Sequence, residues 1–235
     1  MSVIAANLAA IQERIRAACE RVGGDPETVH LVAVSKTVTA DRIRKAVTAG
    51  ATILGENYIQ EARRKMEQLE GLSIRWHFIG HLQSNKAKLA VESFDCVHTL
   101  DRESLAQALN REALKQGKRL PVLIQVNVGE EQSKSGVPPE QVAAFCRSVV
   151  TLEGLEVRGL MALPPYRDDP EQVRPYFRQV AQLLERLRQS APHPEELTEL
   201  SMGMSHDFEA AIEEGATLVR VGTALFGERM VASRT

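Results

Sequence analysis

The sequence predicts an α/β protein folded as a single (β/α)8 TIM barrel, preceded by one extra N-terminal helix. Three observations predict this fold: short apolar runs alternate with amphipathic helical runs, eight such units can be counted, and no Pro/Gly/Ser-rich linker divides residues 1–235. Strands that alternate with helices indicate a parallel sheet, and apolar runs without strict polar alternation indicate burial on both faces. Eight units average about 29 residues, which is compact for a closed barrel. An open doubly wound sheet is the alternative.

The N-terminal run "MSVIAANLAAIQERIRAACERV" places Ile4, Leu8, Ile11 and Ile15 at helical spacing, with charged residues between them. This spacing predicts an amphipathic helix that comes before the first strand. The run lacks the basic start and the continuous apolar core of a secretory signal peptide.

The eight predicted strands are the apolar runs "HLVAVS", "TILGE", "IRWHFIG", "CVHTL", "PVLIQVNV", "LEVRGLMAL", "ELSMGM" and "TLVRVGTALFG". Helical runs lie between them, and Gly50, Gly117 and Gly215 each follow one, where a left-handed helix cap favours glycine. The charge run "EARRKMEQLE" is interpreted as the solvated face of the helix after the second strand. A last short helix is expected after Phe226.

Composition limits the classes of partner. The formal charge is −2, from 29 basic and 31 acidic residues, which gives no electrostatic basis for binding nucleic acid or a membrane surface. No apolar run approaches the roughly 18 residues that would suggest a membrane span. Cys19, Cys96 and Cys146 are odd in number and far apart, as expected of free thiols in a cytoplasmic protein.

The first predicted strand ends in a lysine, Lys36, within "VHLVAVSKTV". In a TIM barrel the functional groups stand at the carboxyl ends of the strands. One interpretation of Lys36 is a solvated residue that closes the strand. The other is a partly desolvated amine with a lowered pKa that attacks an aldehyde and forms a Schiff base.

The last two strands predict a phosphate site. "LSMGMSHDFEAAI" ends the seventh strand at Ser201 and Met202, and "VRVGTALFG" ends the eighth near Gly222 and Thr223. Loops after strands seven and eight are the usual phosphate site of such barrels. Closure of the barrel brings strand eight beside strand one and its Lys36, so a ligand with both an aldehyde and a phosphate is expected, and pyridoxal phosphate fits.

At these residues the sequence closely resembles the pyridoxal-phosphate homeostasis protein family, relatives of the barrel domain of alanine racemase. The resemblance covers nearly the whole chain and includes "VAVSK" at 32–36, "GENYIQE" at 55–61, "WHFIGHLQSNK" at 76–86, "SKSG" at 133–136, "GLM" at 159–161, "LSMGMSHDFEAAI" at 200–212 and "VRVGTALFG" at 219–227.

The resemblance implies that Lys36 forms the internal aldimine with pyridoxal 5'-phosphate and that Arg220 faces the pyridine nitrogen. A cationic partner discourages protonation of that nitrogen, which makes the ring a weaker electron sink. The expected cofactor-binding residues are Lys36, Asn57, His77, Ser201, Met202, Arg220, Gly222 and Thr223. Lys134, after the fifth strand, is either a solvated loop residue or a second lysine on the cofactor face.

The sequence gives no metal site. His77 and His81 in "WHFIGH" imitate a metal-binding pair, but the run is predicted to be a strand, in which four residues span about 13 Å. That separation is too large for one metal ion. We interpret the two histidines as polar residues that rim a pocket, and the resemblance implies that His77 lines the cofactor pocket.

We expect a carrier that buffers or delivers the cofactor to apo enzymes, acting as a monomer without efficient amino-acid turnover and therefore without catalytic residues. The alternative is a pyridoxal-phosphate-dependent amino-acid racemase, which needs two bases on opposite faces of the substrate. By the resemblance, the second base of alanine racemase is a tyrosine in a C-terminal β domain, and we expect no such domain here. Tyr58, Tyr166 and Tyr176 are not obviously placed to replace it. A cofactor-free aldolase using Lys36 is a third possibility, but it leaves the phosphate residues unexplained.

Overall fold

The computed structural model describes residues 2–129 and 135–228. In these residues eight strands form one closed parallel barrel, in which each strand pairs with the next and the eighth pairs with the first. This confirms the predicted TIM barrel and excludes the open sheet. The strands are β1 His30–Val34, β2 Ile53–Glu56, β3 Arg75–Phe78, β4 Cys96–Leu100, β5 Leu120–Val126, β6 Leu155–Ala162, β7 Glu199–Met204 and β8 Leu218–Val221.

The helices surround the barrel and follow the strands in turn. Those in the described part of the chain are α1 Val3–Arg21, α2 Ala40–Thr48, α3 Ile59–Gln68, α4 Ala87–Ser93, α5 Glu103–Lys115, α6 Val142–Val149, α7 Arg174–Ser190, α8 Phe208–Glu213 and α9 Thr223–Phe226. None of them is both long enough and apolar enough to cross a lipid bilayer. Gly50, Gly117 and Gly215 have the left-handed φ expected after helices α2, α5 and α8.

The run predicted as the eighth strand is longer than β8, because α9 occupies the end of that run. The short helix expected after Phe226 falls mostly on residues 229–235, which lie outside the described residues. The reason is local: the N–H of Phe226 donates to the carbonyl of Gly222 and that of Gly227 to Thr223, both at 2.8 Å. These bonds close one helical turn directly after β8.

Helix α1 is the amphipathic helix that the sequence predicts. Its apolar residues Ile4, Leu8, Ile11 and Ile15 are buried, and each buried side chain of this kind contributes about 1.5–3 kcal/mol to stability. The helix packs on α8 and α9, where Arg14 makes a two-pronged ion pair with a glutamate of α8 at 2.8 Å. The helix thus covers the seam where β8 meets β1.

The barrel wall has an inner and an outer face, because side chains alternate along each strand. Val32, Ile53, Cys96, Leu123, Met161 and Leu218 form an apolar cluster separate from the larger core between strands and helices. Val32 belongs to this inner cluster, so the alternation directs Lys36, four residues later, toward the inside of the barrel mouth. The three cysteines are free, as expected, and the structure shows that all three are buried.

Candidate functional site

Two cavities open at the carboxyl ends of the strands. A cavity of about 180 Å³ has Lys36, Thr37, Arg42, Gly222 and Thr223 in its lining. Residues from the end of strand one and the end of strand eight therefore share one cavity. A second cavity, of about 520 Å³, is lined by residues that include Asn57, Gly80, His81, Gln125 and Tyr166.

The backbone around Lys36 is held on both sides. Before it, the N–H of Ser35 donates to the carbonyl of Gly55 at 3.0 Å and its hydroxyl donates to Oε1 of Glu56 at 2.6 Å. After it, the N–H of Thr37 donates to Oε1 of Glu61 at 2.6 Å. Thr37 has a φ of +63°, a conformation unusual for a residue with a side chain. The turn that carries the lysine is thus anchored at both neighbours.

Lys65 joins these anchors. Its Nζ donates to the carbonyl of Ser35 at 2.6 Å, to Oε1 of Glu56 at 2.7 Å and to Oε1 of Glu61 at 2.6 Å, so each of its three protons has an acceptor. We call Ser35, Glu56, Glu61 and Lys65 the outer network, because it lies between the barrel wall and α3. Burial raises the pKa of the Glu56 carboxyl, against the opposing hydrogen bonds from Lys65 and Ser35.

A second polar cluster lies inside the barrel. Arg220 donates to Oγ of Ser201 at 2.6 Å, Oγ lies 2.9 Å from Nδ1 of His98, and Nε2 of His98 lies 2.8 Å from Nδ1 of His77. Arg220 also donates to the carbonyl of Ala162 at 2.8 Å. We call His77, His98, Ser201 and Arg220 the inner chain. All four are buried, and burial lowers the pKa of Arg220 to about 10.

The two histidines of the inner chain are neutral at pH 7. Burial lowers the pKa of His77 to about 3 and that of His98 well below its ordinary value. Nitrogen and sulfur atoms of His77, Cys96 and His98 lie within 4.8 Å of one another. Burial raises the pKa of the Cys96 thiol, which disfavours the thiolate that a metal would bind. The expectation of no metal therefore stays a prediction.

His77 lines a different cavity from Lys36, and its expected contact with the cofactor stays a prediction. It lines a cavity of about 360 Å³ with His30 and Cys96, which stand at the starts of their strands, so it belongs to the opposite end of the barrel from Lys36. His81, four residues on, lines the mouth cavity instead. The cause is the pairing of β3 with β4, which sets His77 opposite Cys96, the first residue of β4.

The other predicted residues differ in their surroundings. Asn57 lines the mouth, and its Oδ1 is buried without a hydrogen-bond partner among the described residues. Gly80 allows the backbone of Asn57 to approach closely, since a Cβ at Gly80 would lie 2.3 Å from the Asn57 carbonyl oxygen.

The Met202 side chain packs in the core outside the barrel wall, which gives no support to a side-chain role at the mouth. Ser201 lies in the inner chain, so its phosphate role stays a prediction, and Lys134 is outside the described residues.

Sequence reasoning placed Ser205 on the functional face but assigned it no contact, and it missed Lys65 and His98. Oγ of Ser205 accepts hydrogen bonds from the N–H groups of Gly222 at 3.2 Å and Ala224 at 3.3 Å, which ties the loop after β7 to α9. Lys65 belongs to the charge run interpreted as a solvated face, yet it is only 6% exposed. The four-residue spacing from Glu61 was the available signal. His98 stands inside the predicted strand "CVHTL". A polar residue in a strand expected to be buried was the only signal for it in the sequence.

The family model described as "Alanine racemase, N-terminal domain" matches residues 6–230. Pyridoxal phosphate homeostasis proteins of Aquifex aeolicus and Escherichia coli are 46% and 44% identical to this chain, over 94% and 97% of it and 96% and 98% of their own lengths. PipY of Synechococcus elongatus, solved with PLP bound, is 38% identical with a TM-score of 0.84, covering 95% of this chain and 100% of that one. Alanine racemase from Streptomyces coelicolor, 23% identical, shares the fold with a TM-score of 0.70, over 94% of this chain and 59% of that one.

Proposed function

The chain belongs to the pyridoxal phosphate homeostasis protein family, whose barrel is that of the alanine racemase N-terminal domain, and we propose that it binds pyridoxal 5'-phosphate covalently through Lys36 and delivers it to apo enzymes. The observation that carries the proposal is the shared cavity of Lys36, Gly222 and Thr223 at the barrel mouth. PipY, a relative solved with PLP bound, supports the choice of ligand.

The residues present fit this cofactor. An amine for the aldehyde is supplied by Lys36, and a hydroxyl for the phosphate by Thr223, in one cavity of about 180 Å³. The N–H groups of Gly222 and Ala224 converge on a single oxygen, that of Ser205, as they would on an anion. The unpartnered Oδ1 of Asn57 is a further polar atom in the neighbouring mouth cavity. Together these groups match a ligand with an aldehyde, a polar ring and a phosphate.

The chain's own groups define the chemistry. Bound pyridoxal phosphate supplies an aldehyde and a ring that delocalises negative charge. The Lys36 amine is the nucleophile, and the outer network holds the backbone on either side of it. Arg220 stays a cation at neutral pH, because its pKa is lowered only to about 10. A cation facing the pyridine nitrogen disfavours its protonation, which limits carbanion chemistry and favours storage over turnover.

One observation favours a racemase as the second candidate. Tyr166 lines the mouth cavity beside Asn57 and contacts the ring of His206, with 5.5 Å between the ring centroids, so a phenol is available near the proposed site. It is 65% exposed, however, and a hydrated phenol is poorly prepared to act as a general base. We therefore prefer the carrier.

We include in the proposal that the carrier is a cytoplasmic monomer without nucleic-acid or membrane partners. Its near-neutral charge of −2 and its three free, buried cysteines support this. Large exposed apolar side chains are scattered over several elements in the described residues, as on the surface of a monomer, among them Val3, Tyr58, Leu114 and Tyr166.

The experiment is cofactor transfer. Protein loaded with pyridoxal phosphate and freed of excess ligand is mixed with the apo form of a pyridoxal-phosphate enzyme, and recovered activity is measured. We expect recovery with the wild type and none above background with Lys36→Ala treated identically. Incubation with each common L-amino acid should give no D-isomer or keto acid beyond the rate of free cofactor.

Tyr166→Phe separates the two candidates. The carrier predicts unchanged transfer, whereas a racemase using this phenol predicts loss of D-isomer formation. Racemisation of one amino acid at several turnovers per second by the wild type would overturn the carrier proposal.

A further inference from the structure

Arg220 is a buried cation of the inner chain. Among the described residues, Ser201 provides the one side chain that accepts a hydrogen bond from it. We propose that Ser201 and His98 are positioning residues that hold Arg220 in place for the pyridine nitrogen of the bound cofactor. This inference rests on the proposed function. It assigns Ser201 to the ring end of the ligand rather than to the phosphate.

Arg220 needs such support because it is 3% exposed. The described oxygens that accept from it are neutral, the Ser201 hydroxyl at 2.6 Å and the Ala162 carbonyl at 2.8 Å. Asp207 favours the charged form through its field alone. A buried charge without a contacting counter-ion depends on oriented dipoles for its stability. The orientation of the Ser201 hydroxyl is therefore important to Arg220.

Donor and acceptor roles along the inner chain follow from its guanidinium end. Arg220 can only donate, so Oγ of Ser201 accepts from it. The described residues offer the Ser201 proton one acceptor, Nδ1 of His98. His98 then carries its proton on Nε2 and donates to Nδ1 of His77, which keeps its own proton on Nε2. In this arrangement the acceptor atom of each of the three bonds faces the Arg220 end of the inner chain.

The order of effects along the chain is a consequence of this arrangement. Loss of the Ser201 hydroxyl removes a direct acceptor of the guanidinium. Loss of the His98 ring frees the hydroxyl to rotate away, and loss of His77 alters only the far end. Effects at the pyridine nitrogen should therefore fall from Ser201 to His98 to His77.

Binding affinities for three ligands show which end of the cofactor a substitution affects. The ligands are pyridoxal phosphate, its deaza analogue in which C–H replaces the pyridine nitrogen, and pyridoxal, which lacks the phosphate. Ser201→Ala should bind pyridoxal phosphate about tenfold more weakly, the loss typical of a hydrogen bond to a charged group, and the deaza analogue less than about twofold more weakly. His98→Leu should show the same pattern at about threefold, and the absorbance maximum of bound pyridoxal phosphate should shift in both variants.

Cys96→Ala is the matched control. Cys96 is buried, faces the barrel interior and is the cross-strand neighbour of His77, but it makes no bond in the inner chain. Its substitution should change the affinity for all three ligands by less than about twofold. In an Arg220→Lys background Ser201→Ala should add no further loss, a test that stands even if one single variant is poorly folded.

Two results would overturn the inference. Equal losses for pyridoxal phosphate and its deaza analogue, with pyridoxal spared, would make Ser201 a phosphate residue. Equal losses for all three ligands would make its role structural. Failure of the wild type to bind pyridoxal phosphate at all would instead refute the proposed function, so the two failures are distinguishable.

Discussion

The outer network and the inner chain are both polar and largely buried, but they differ in how their cation is compensated. In the outer network one cation, Lys65, contacts the carboxylates of Glu56 and Glu61 at 2.7 and 2.6 Å. In the inner chain one cation, Arg220, contacts neutral oxygens backed by two neutral histidines. Paired charges fix the backbone around Lys36, whereas we propose that the Arg220 cation inside the barrel serves a ligand. In our proposal the outer network holds the backbone of the site, and the inner chain contacts the bound cofactor through Arg220.

The largest expected effect is in the outer network. Lys65→Met leaves Glu56 and Glu61 without their shared cation, and we expect the free energy of unfolding to fall by about 3–5 kcal/mol in urea titrations. Adding Glu56→Leu to Lys65→Met should restore part of the loss, because the unpaired buried carboxylate is then gone.

Lys88→Met is the matched control for that prediction. Lys88 lies on the neighbouring α4, its side chain is 70% exposed, and its distance to Glu92 is 3.9 Å. Its loss should cost less than about 0.5 kcal/mol. If the two lysine variants were equally stable, the outer network would not be a structural anchor.

The next effect is the pH dependence of the inner chain. The pKa of His77 falls from 6.5 in the unfolded chain to about 3 in the fold, so between these values the unfolded state binds a proton that the native state does not. Stability therefore decreases as the pH falls through this window and is unaffected by His77 above it. When the pH is lowered from about 7 to about 4.5, the free energy of unfolding of His77→Gln should fall by about 1–3 kcal/mol less than that of the wild type. Parallel profiles for the two proteins would show that His77 is not buried as a neutral ring.

A smaller effect, confined to ligand binding, is expected at Thr223, which belongs to neither network. Thr223→Val removes a hydroxyl from the proposed phosphate end, and a charge-assisted hydrogen bond of about 1–3 kcal/mol corresponds to a roughly ten- to hundredfold loss of pyridoxal phosphate affinity. Affinity for pyridoxal and the urea midpoint should barely change. Equal losses for both ligands would mean that the phosphate lies elsewhere.

The smallest effect concerns the turn that the outer network holds. Thr37 has a φ of +63°, so Thr37→Gly should raise the free energy of unfolding by about 0.5–1 kcal/mol. Thr39, also exposed, has a φ of −71°, and Thr39→Gly should lower it by a similar amount. A thermal melt that gave both variants the same sign would contradict the left-handed turn after Lys36.

The sequence predicts what depends on local pattern. Periodicity gave the barrel and α1, and the end of a strand gave Lys36 its position at the mouth. The inner chain is different, because His98 and Ser201 are 103 residues apart and meet only across the barrel interior. Met202 follows the inward-facing Ser201 and its side chain packs in the core outside the barrel wall, so its expected contact with the cofactor stays a prediction. Lys65 was misread because the direction of a helix face depends on the neighbouring strands.

The central claim, that the cofactor is held by Lys36, is tested most directly by trapping the linkage. Wild-type protein loaded with pyridoxal phosphate is reduced with borohydride and digested, and the labelled peptide is identified by mass spectrometry. We expect the visible absorbance band to disappear on reduction and the adduct to lie on Lys36, with no band in Lys36→Ala. An adduct found mainly on Lys134 or Lys86 would contradict the claim.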